Sequence, residues 1–232
     1  MTVVAMGGGG FSHDDDNGLL DDHLLSLARR DRARVLFVPT ASGDAESYVE
    51  RFLAAFPESR ADASVLRLFG REVGDLRTHV LDQDVVYVGG GNTANLLAVW
   101  RVHGLDAIFA EAHSAGIVLA GLSAGMNCWF EGSVTDSFGP TLQPLTDGLG
   151  LLAGSACPHY DGEEQRRPTY LQLVASGRLP DGYAAHDDCA LVFDDGALVE
   201  AVASRDDARA FRVTREGDRA VETPLPVRML GN

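Results

Sequence analysis

The sequence contains no lysine: all 19 basic side chains are arginines, set against 34 aspartates and glutamates. The resulting net charge of −15 leaves no clustered positive potential of the kind that nucleic acid and anionic membranes reward, so neither is an expected partner. Cysteine is scarce as well. Cys128, Cys157 and Cys189 are odd in number, far apart and free of any C-x-x-C spacing, which suits a reducing compartment and gives no metal signature. No apolar run approaches the ~20 residues of a membrane span. The opening "MTVVAMGGGG" lacks the basic region of a signal peptide and has only a short apolar run before its glycines. Together these absences lead us to expect a soluble, cytoplasmic protein.

What is present is enough apolar sequence for a sizeable core. The chain has 232 residues, 45% of them hydrophobic, and shows no linker, repeat or low-complexity tract, so residues 1–232 are expected to form one domain. "TVVAM", "RVLFVPT", "ASVLRLF", "DVVYVGGG" and "IVLAG" read as strands. Between them lie the amphipathic segments "LLDDHLLSLARRD", "DAESYVERFLAAF", "NTANLLAVWRVHG" and "LDAIFAEAHSAG", with Asp44 a candidate cap for the second. Strands apolar on both faces and separated by helices predict a mostly parallel sheet covered on both sides, with ligands at the strands' carboxyl ends. After residue 180, "CALVFDDGALVEAVAS" and "ARAFRVTREGDRAVE" read as hairpins that extend the edge of that sheet.

Two glycine-rich turns fall at the expected ligand edge. In "IVLAGLSAGMNCWF", Ser123 stands where an apolar strand meets a helix. It is either a nucleophile on a strained turn or a small residue in a tight bend. A nucleophile turn needs small neighbours, and Gly121, Ala124 and Gly125 meet that need. The Ala124 amide, opening the helix, is placed to face an oxyanion. The turn "VGGGNTANLL" can supply a second donor, and Asn92 or Thr93 can cap its helix. The competing phosphate cradle lacks a P-loop Lys-Ser/Thr and the G-x-G-x-x-G spacing. "MGGGG" at 6–10 carries the same ambiguity. Among seven histidines, His13, His23, His79, His103 and His113 read as surface residues of loops and helices. His159, in a loop after an apolar segment and a proline, is favoured as a base over His186.

The ordered set "GGGNTANLL", "AGLSAGMNCWFEGSVTDS", "CPHYDGEEQRR" and "DDCALVF" resembles the peptidase E family of serine peptidases, which includes aspartyl dipeptidases and cyanophycinases. The resemblance spans nearly the whole chain. It implies a three-layer α/β/α sandwich like that of class I glutamine amidotransferases, with a strand-turn-helix nucleophile elbow. It further implies Ser123 as nucleophile and His159 as general base. Gly90 and Ala124 match the oxyanion donors, with Gly91 the neighbouring alternative to Gly90. The third member of the family's triad, usually glutamate, aligns with Asp187, with Asp188 as the alternative. An aspartate is one methylene shorter, so its backbone must lie closer to His159 than a glutamate's would. Serine is a poor nucleophile until an imidazole takes its proton and a carboxylate fixes the tautomer. The order Ser, His, acid also differs from that of α/β-hydrolases.

The segment after His159 is shorter than in the aspartyl dipeptidases, and the threonine-arginine pair of their G-E-T-R-E-Q-R-like run has no counterpart. Arg166 or Arg167 could stand in as a substrate-carboxylate partner, but a surface ion pair with Glu163 or Glu164 is the favoured reading. Strict preference for N-terminal aspartate is therefore not expected. Asp136 and Asn92 are further candidates for the pocket, although Asp136 reads first as a polar turn residue. Cys128 reads as packing. The expectation is a serine peptidase acting on short peptides, dipeptidase-like, needing neither metal nor organic cofactor. A homodimer is one option for its assembly. The alternatives are a cyanophycinase-like exopeptidase on β-linked peptides and a binding or regulatory homologue of weak turnover.

Overall fold

The computed structural model of this protein describes residues 1–13 and 18–231. In chain order the strands are β1 (Thr2–Met6), β2 (Arg34–Val38), β3 (Asp62–Val65), β4 (Val85–Val88), β5 (Val118–Leu122), β6 (Phe130–Thr135) and β7 (Gln143–Leu145). They continue as β8 (Leu152–Cys157), β9 (Gly182–Ala185), β10 (Cys189–Asp194), β11 (Ala197–Ala203), β12 (Ala210–Glu216), β13 (Arg219–Pro224) and β14 (Arg228–Met229). The helices are α1 (Leu19–Ser26), α2 (Glu46–Ala55), α3 (Leu76–Leu81), α4 (Thr93–His103), α5 (Leu105–Ser114), α6 (Ala124–Asn127) and α7 (Arg166–Ala175).

The larger sheet runs β14-β11-β10-β1-β5-β4-β2-β3. From β1 to β3 its neighbours are parallel, while β10 joins β1 antiparallel. Its strands are apolar on both faces because each face is buried. Val3, Ala5, Val86 and Val88 pack with Leu97, Trp100 and Phe109 of α4 and α5. Val4, Met6, Val85 and Tyr87 pack on the other face with Leu20, Leu24, Val49 and Phe52 of α1 and α2. Each such large side chain removed from water contributes roughly 1.5–3 kcal/mol before conformational entropy is charged. This is the α/β/α layering that the alternating pattern predicts.

A second sheet, ordered β13-β12-β9-β8-β6-β7, corrects the reading of the late hairpins. The β10–β11 hairpin extends the large sheet as expected. The β12–β13 hairpin instead pairs with β9 in the second sheet, whose other face α7 covers through Tyr170, Leu173 and Val174. Local pattern did not distinguish these fates, because each hairpin closes on its own two-residue turn of Gly and Asp while its outer partner lies elsewhere in the chain. Asp44 is also reassigned. Ala45 occupies the N-cap position of α2, while the Asp44 carboxylate accepts from the Leu68 and Phe69 amides at 2.6 and 2.8 Å. Asn92 does cap α4, accepting from the Asn95 amide at 2.8 Å. His113 is buried rather than on the surface and His23 is half-buried; burial holds both imidazoles below their ordinary pKa.

Candidate active site

Parallel strands deliver their carboxyl ends to one edge, and here that edge collects the ends of β1, β4 and β5. At the end of β5 the chain turns sharply into α6. Ser123 sits on this turn with φ 55° and ψ −111°, a conformation an L-residue adopts only under tertiary constraint. The turn is tight because α6 lies directly on the strands. A Cβ on Gly125 would stand 2.4 Å from the Val88 carbonyl oxygen, and one on Gly121 would stand 2.4 Å from that of Gly125. Ala124 is the first residue of α6, so the helix offers its amide no acceptor. Cys128 is fully buried, as expected, with its thiol pKa raised by burial.

The second sheet brings the remaining groups. β8 and β9 are parallel neighbours, with Cys157 opposite Ala184. His159 follows two residues after the first and Asp187 three after the second, so adjacent strand ends place the two side by side. His159 Nδ1 lies 2.6 Å from Asp187 Oδ1. An ionised carboxylate only accepts hydrogen bonds, so Nδ1–H is the donor, the tautomer whose neutral ring carries its lone pair on Nε2. Burial pushes the Asp187 carboxyl pKa up, but the bond and charge of His159, aided by His13 and Arg205, more than offset this. The group lies below its ordinary carboxylate range. Asp188 turns the other way, 3.1 Å from His13 Nδ1 and 3.6 Å from Arg205.

The approach that an aspartate's shorter arm requires comes from two glycines. A Cβ on Gly8 would stand 2.1 Å from Asp187 Oδ1, and one on Gly162 would stand 2.5 Å from Oδ2. The "MGGGG" run, ambiguous by sequence, turns out to be the scaffold of the site. Successive carbonyls of Met6, Gly7 and Gly8 accept from the amides of Ser123, His159 and Asp188 at 3.1, 3.2 and 3.2 Å. Ser123, His159 and Asp188 are three of the five non-glycine residues with positive φ among those described. No hydrogen bond joins Ser123 Oγ to His159 among the described residues; such contacts commonly tighten only once substrate is bound.

The other expected site residues divide. Gly90 borders Ser123, since its Cβ would be 3.3 Å from Ser123 Cβ. Its amide, however, donates to the Tyr48 hydroxyl at 3.2 Å. Tyr48 is held by stacking on Phe11, with centroids 5.2 Å apart, and burial pushes its pKa up to about 12, so it stays protonated. The φ of 135° at Gly91 turns the chain toward α4. The Asn92 side chain is spent on capping and on the Ser137 carbonyl, 3.1 Å away. Arg166 pairs with Glu163 at 2.6 Å as expected, but it is buried rather than on the surface and also donates to the Val134 carbonyl at 3.2 Å. Arg167 is the exposed one, bound to Glu222 at 2.9 Å. Asp136 is exposed and stands 3.9 Å from Arg166. His186 faces Asp161 at 3.4 Å and packs against Phe211, away from the elbow. Tyr48 and His13 had no sequence signal, because their roles depend on contacts with residues far along the chain.

Comparison with known proteins gives this arrangement its kinship. Residues 3–200 match the model of Peptidase family S51. The chain is 49% identical over 229 residues to the uncharacterized peptidase YgaJ of Bacillus subtilis (strain 168), covering 99% of each. It is 32% identical over 129 residues to peptidase E of Streptomyces coelicolor, covering 55% of this chain and 51% of that one. In structure it is similar to a peptidase from an acI-B1 actinobacterium, with a TM-score of 0.66, 18% identity, and coverage of 100% of this chain and 95% of that one. Among the described residues, no helix is long and apolar enough to cross a membrane.

Proposed function

The chain belongs to peptidase family S51, and from that membership we propose that it is a serine peptidase of short peptides in which Ser123, His159 and Asp187 form the catalytic triad. The observation that carries the reading is the 2.6 Å His159–Asp187 pair, whose histidine is anchored by its amide to the Gly7 carbonyl, next to the Met6 carbonyl that anchors Ser123. In the reaction, His159 Nε2 takes the hydroxyl proton as Ser123 Oγ attacks the scissile carbonyl carbon. The Ala124 and Gly90 amides receive the oxyanion, the Tyr48 hydroxyl giving up the Gly90 amide as substrate enters. His159 then passes its proton to the leaving amine as the C–N bond breaks, and water, deprotonated by the same imidazole, hydrolyses the acyl-enzyme, the proton returning to Ser123 Oγ as its ester bond breaks. Asp187 stays ionised throughout and holds the Nδ1–H tautomer.

The substrate is a short peptide without a required N-terminal aspartate, because both candidate arginines already have carboxylate partners. A fluorophosphonate probe tests the reading. Stoichiometric labelling of Ser123, lost in Ser123→Ala, supports the peptidase; no labelling of the folded protein would assign it to the binding and regulatory class instead.

A further inference from the structure

Asp187 lies in the irregular turn between β9 and β10, so no strand ladder fixes its backbone. Its amide donates to a side chain instead, Asp161 Oδ1 at 2.9 Å, across 26 residues of sequence. Asp161 lies two residues after His159, within the turn that closes when the Glu163 amide donates to the His159 carbonyl at 3.3 Å. Next to it, the Tyr160 amide donates to the Ala185 carbonyl at 3.1 Å. Two bonds therefore clasp the turn that carries His159 to the turn that carries Asp187, and one of them is charge-assisted.

A carboxylate this close to Asp187 is costly unless neutralised. Arg205 supplies the neutralisation, donating to Asp161 Oδ2 at 2.7 Å, with Asp207 at 2.7 Å and Asp188 at 3.6 Å on its other nitrogens. His186 completes the surroundings of Asp161, 3.4 Å from Oδ2. Resting on the triad proposed above, we infer that Asp161 is a positioning residue: it locks the Asp187 backbone to the His159 turn so that the dyad is assembled before substrate arrives, with Arg205 as its counter-ion. Asp161 touches neither substrate nor the reacting atoms.

The test compares Asp161→Ala with Asp161→Asn, which keeps an acceptor for the Asp187 amide. Misplacing a catalytic group by about 1 Å costs on the order of 10²-fold in rate. Asp161→Ala is therefore expected to lower kcat by roughly ten- to a hundredfold with KM changed less than about threefold, and Asp161→Asn to restore most of the loss. The second readout needs no turnover. The far-downfield proton NMR signal of the His159 Nδ1–H, identified by its absence in His159→Gln, is expected in wild type and Asp161→Asn and lost to solvent exchange in Asp161→Ala. Retention of both that signal and kcat in Asp161→Ala overturns the proposal, even if thermal stability falls. If wild type shows no Ser123-dependent hydrolysis, the peptidase reading fails separately, and the proton signal still decides whether Asp161 holds the pair.

Discussion

His159 Nδ1 meets Asp187 Oδ1 at 2.6 Å across 28 residues of sequence, in a space two glycines have cleared. This contact sets the first prediction. Asp187→Asn presents the wrong tautomer partner and is expected to lower kcat by about 10⁴-fold with the fold retained. Asp187→Glu, though it restores the family's usual residue, should also lose at least about tenfold. The extra methylene has no room against Gly8 and Gly162. Steady-state kcat and circular dichroism check both. Because the Asp187 carboxyl is held below its ordinary range, its stabilising contribution is present above the unfolded pKa of about 4 and is lost only as pH falls through the lower folded value.

Gly8→Ala should separate activity from stability. The new Cβ would lie 2.1 Å from Asp187 Oδ1 and 3.0 Å from His159 Cε1, and the carboxylate must move before the backbone does. We expect kcat to fall by roughly 10²-fold, in line with the cost of a small misplacement of catalytic groups. The melting temperature should shift by only a few degrees. Parallel measurement of the two quantities decides it, and unchanged turnover would contradict the assigned geometry.

Tyr48→Phe probes the Gly90 amide proposed as the second oxyanion donor. With the hydroxyl gone, the Gly90 amide no longer has to be released from its 3.2 Å bond. A peptide boronate, which mimics the tetrahedral intermediate, should then bind several-fold tighter at little change in kcat. Weaker binding by the variant would assign the hydroxyl itself to the oxyanion.

Asp21 is buried beneath the glycine run, accepting from the Tyr87 hydroxyl at 3.0 Å, and burial pushes its pKa up to about 6 from 3.8. The folded state therefore keeps a proton that the unfolded chain has lost, so stability falls as pH rises through this window. Between pH 4 and 7 the wild type should lose about 2 kcal/mol more than Asp21→Asn. Urea denaturation curves at the two pH values measure the difference; equal losses would place the Asp21 carboxyl in a solvated setting.

A dipeptide library tests specificity. The Arg166 guanidinium is buried against Glu163 and the Val134 carbonyl, and that of Arg167 is bound to Glu222. Asp-X peptides are therefore expected to be cleaved no faster than neutral ones. Cleavage confined to Asp-X members would show that one of these arginines changes partner on binding.

Much of this site was legible in the sequence. The parallel strands, the elbow at Ser123 and the cap at Asn92 follow from local rules, namely apolar period, small residues at a tight turn and a side-chain acceptor before a helix. His159 stood out from His186 only by its loop placement after a proline, and Asp187 carries no local rule at all, so the family resemblance alone singled it out. Even that resemblance left Asp188 as an alternative, and the charge pattern around Arg166 pointed to the surface although the residue is buried.

Tertiary structure decided what local rules cannot reach. The parallel register of β8 against β9 puts His159 beside Asp187 and turns Asp188 toward His13. Three carbonyls at the end of β1 fix the backbones of residues scattered across the chain. The sequence by itself determined which elements form and where the tight turn at Ser123 stands, because those depend on neighbours within one or two turns of chain. Which imidazole meets which carboxylate, and which carbonyls hold Ser123, depends on contacts between segments tens of residues apart, and only the folded chain brings them together.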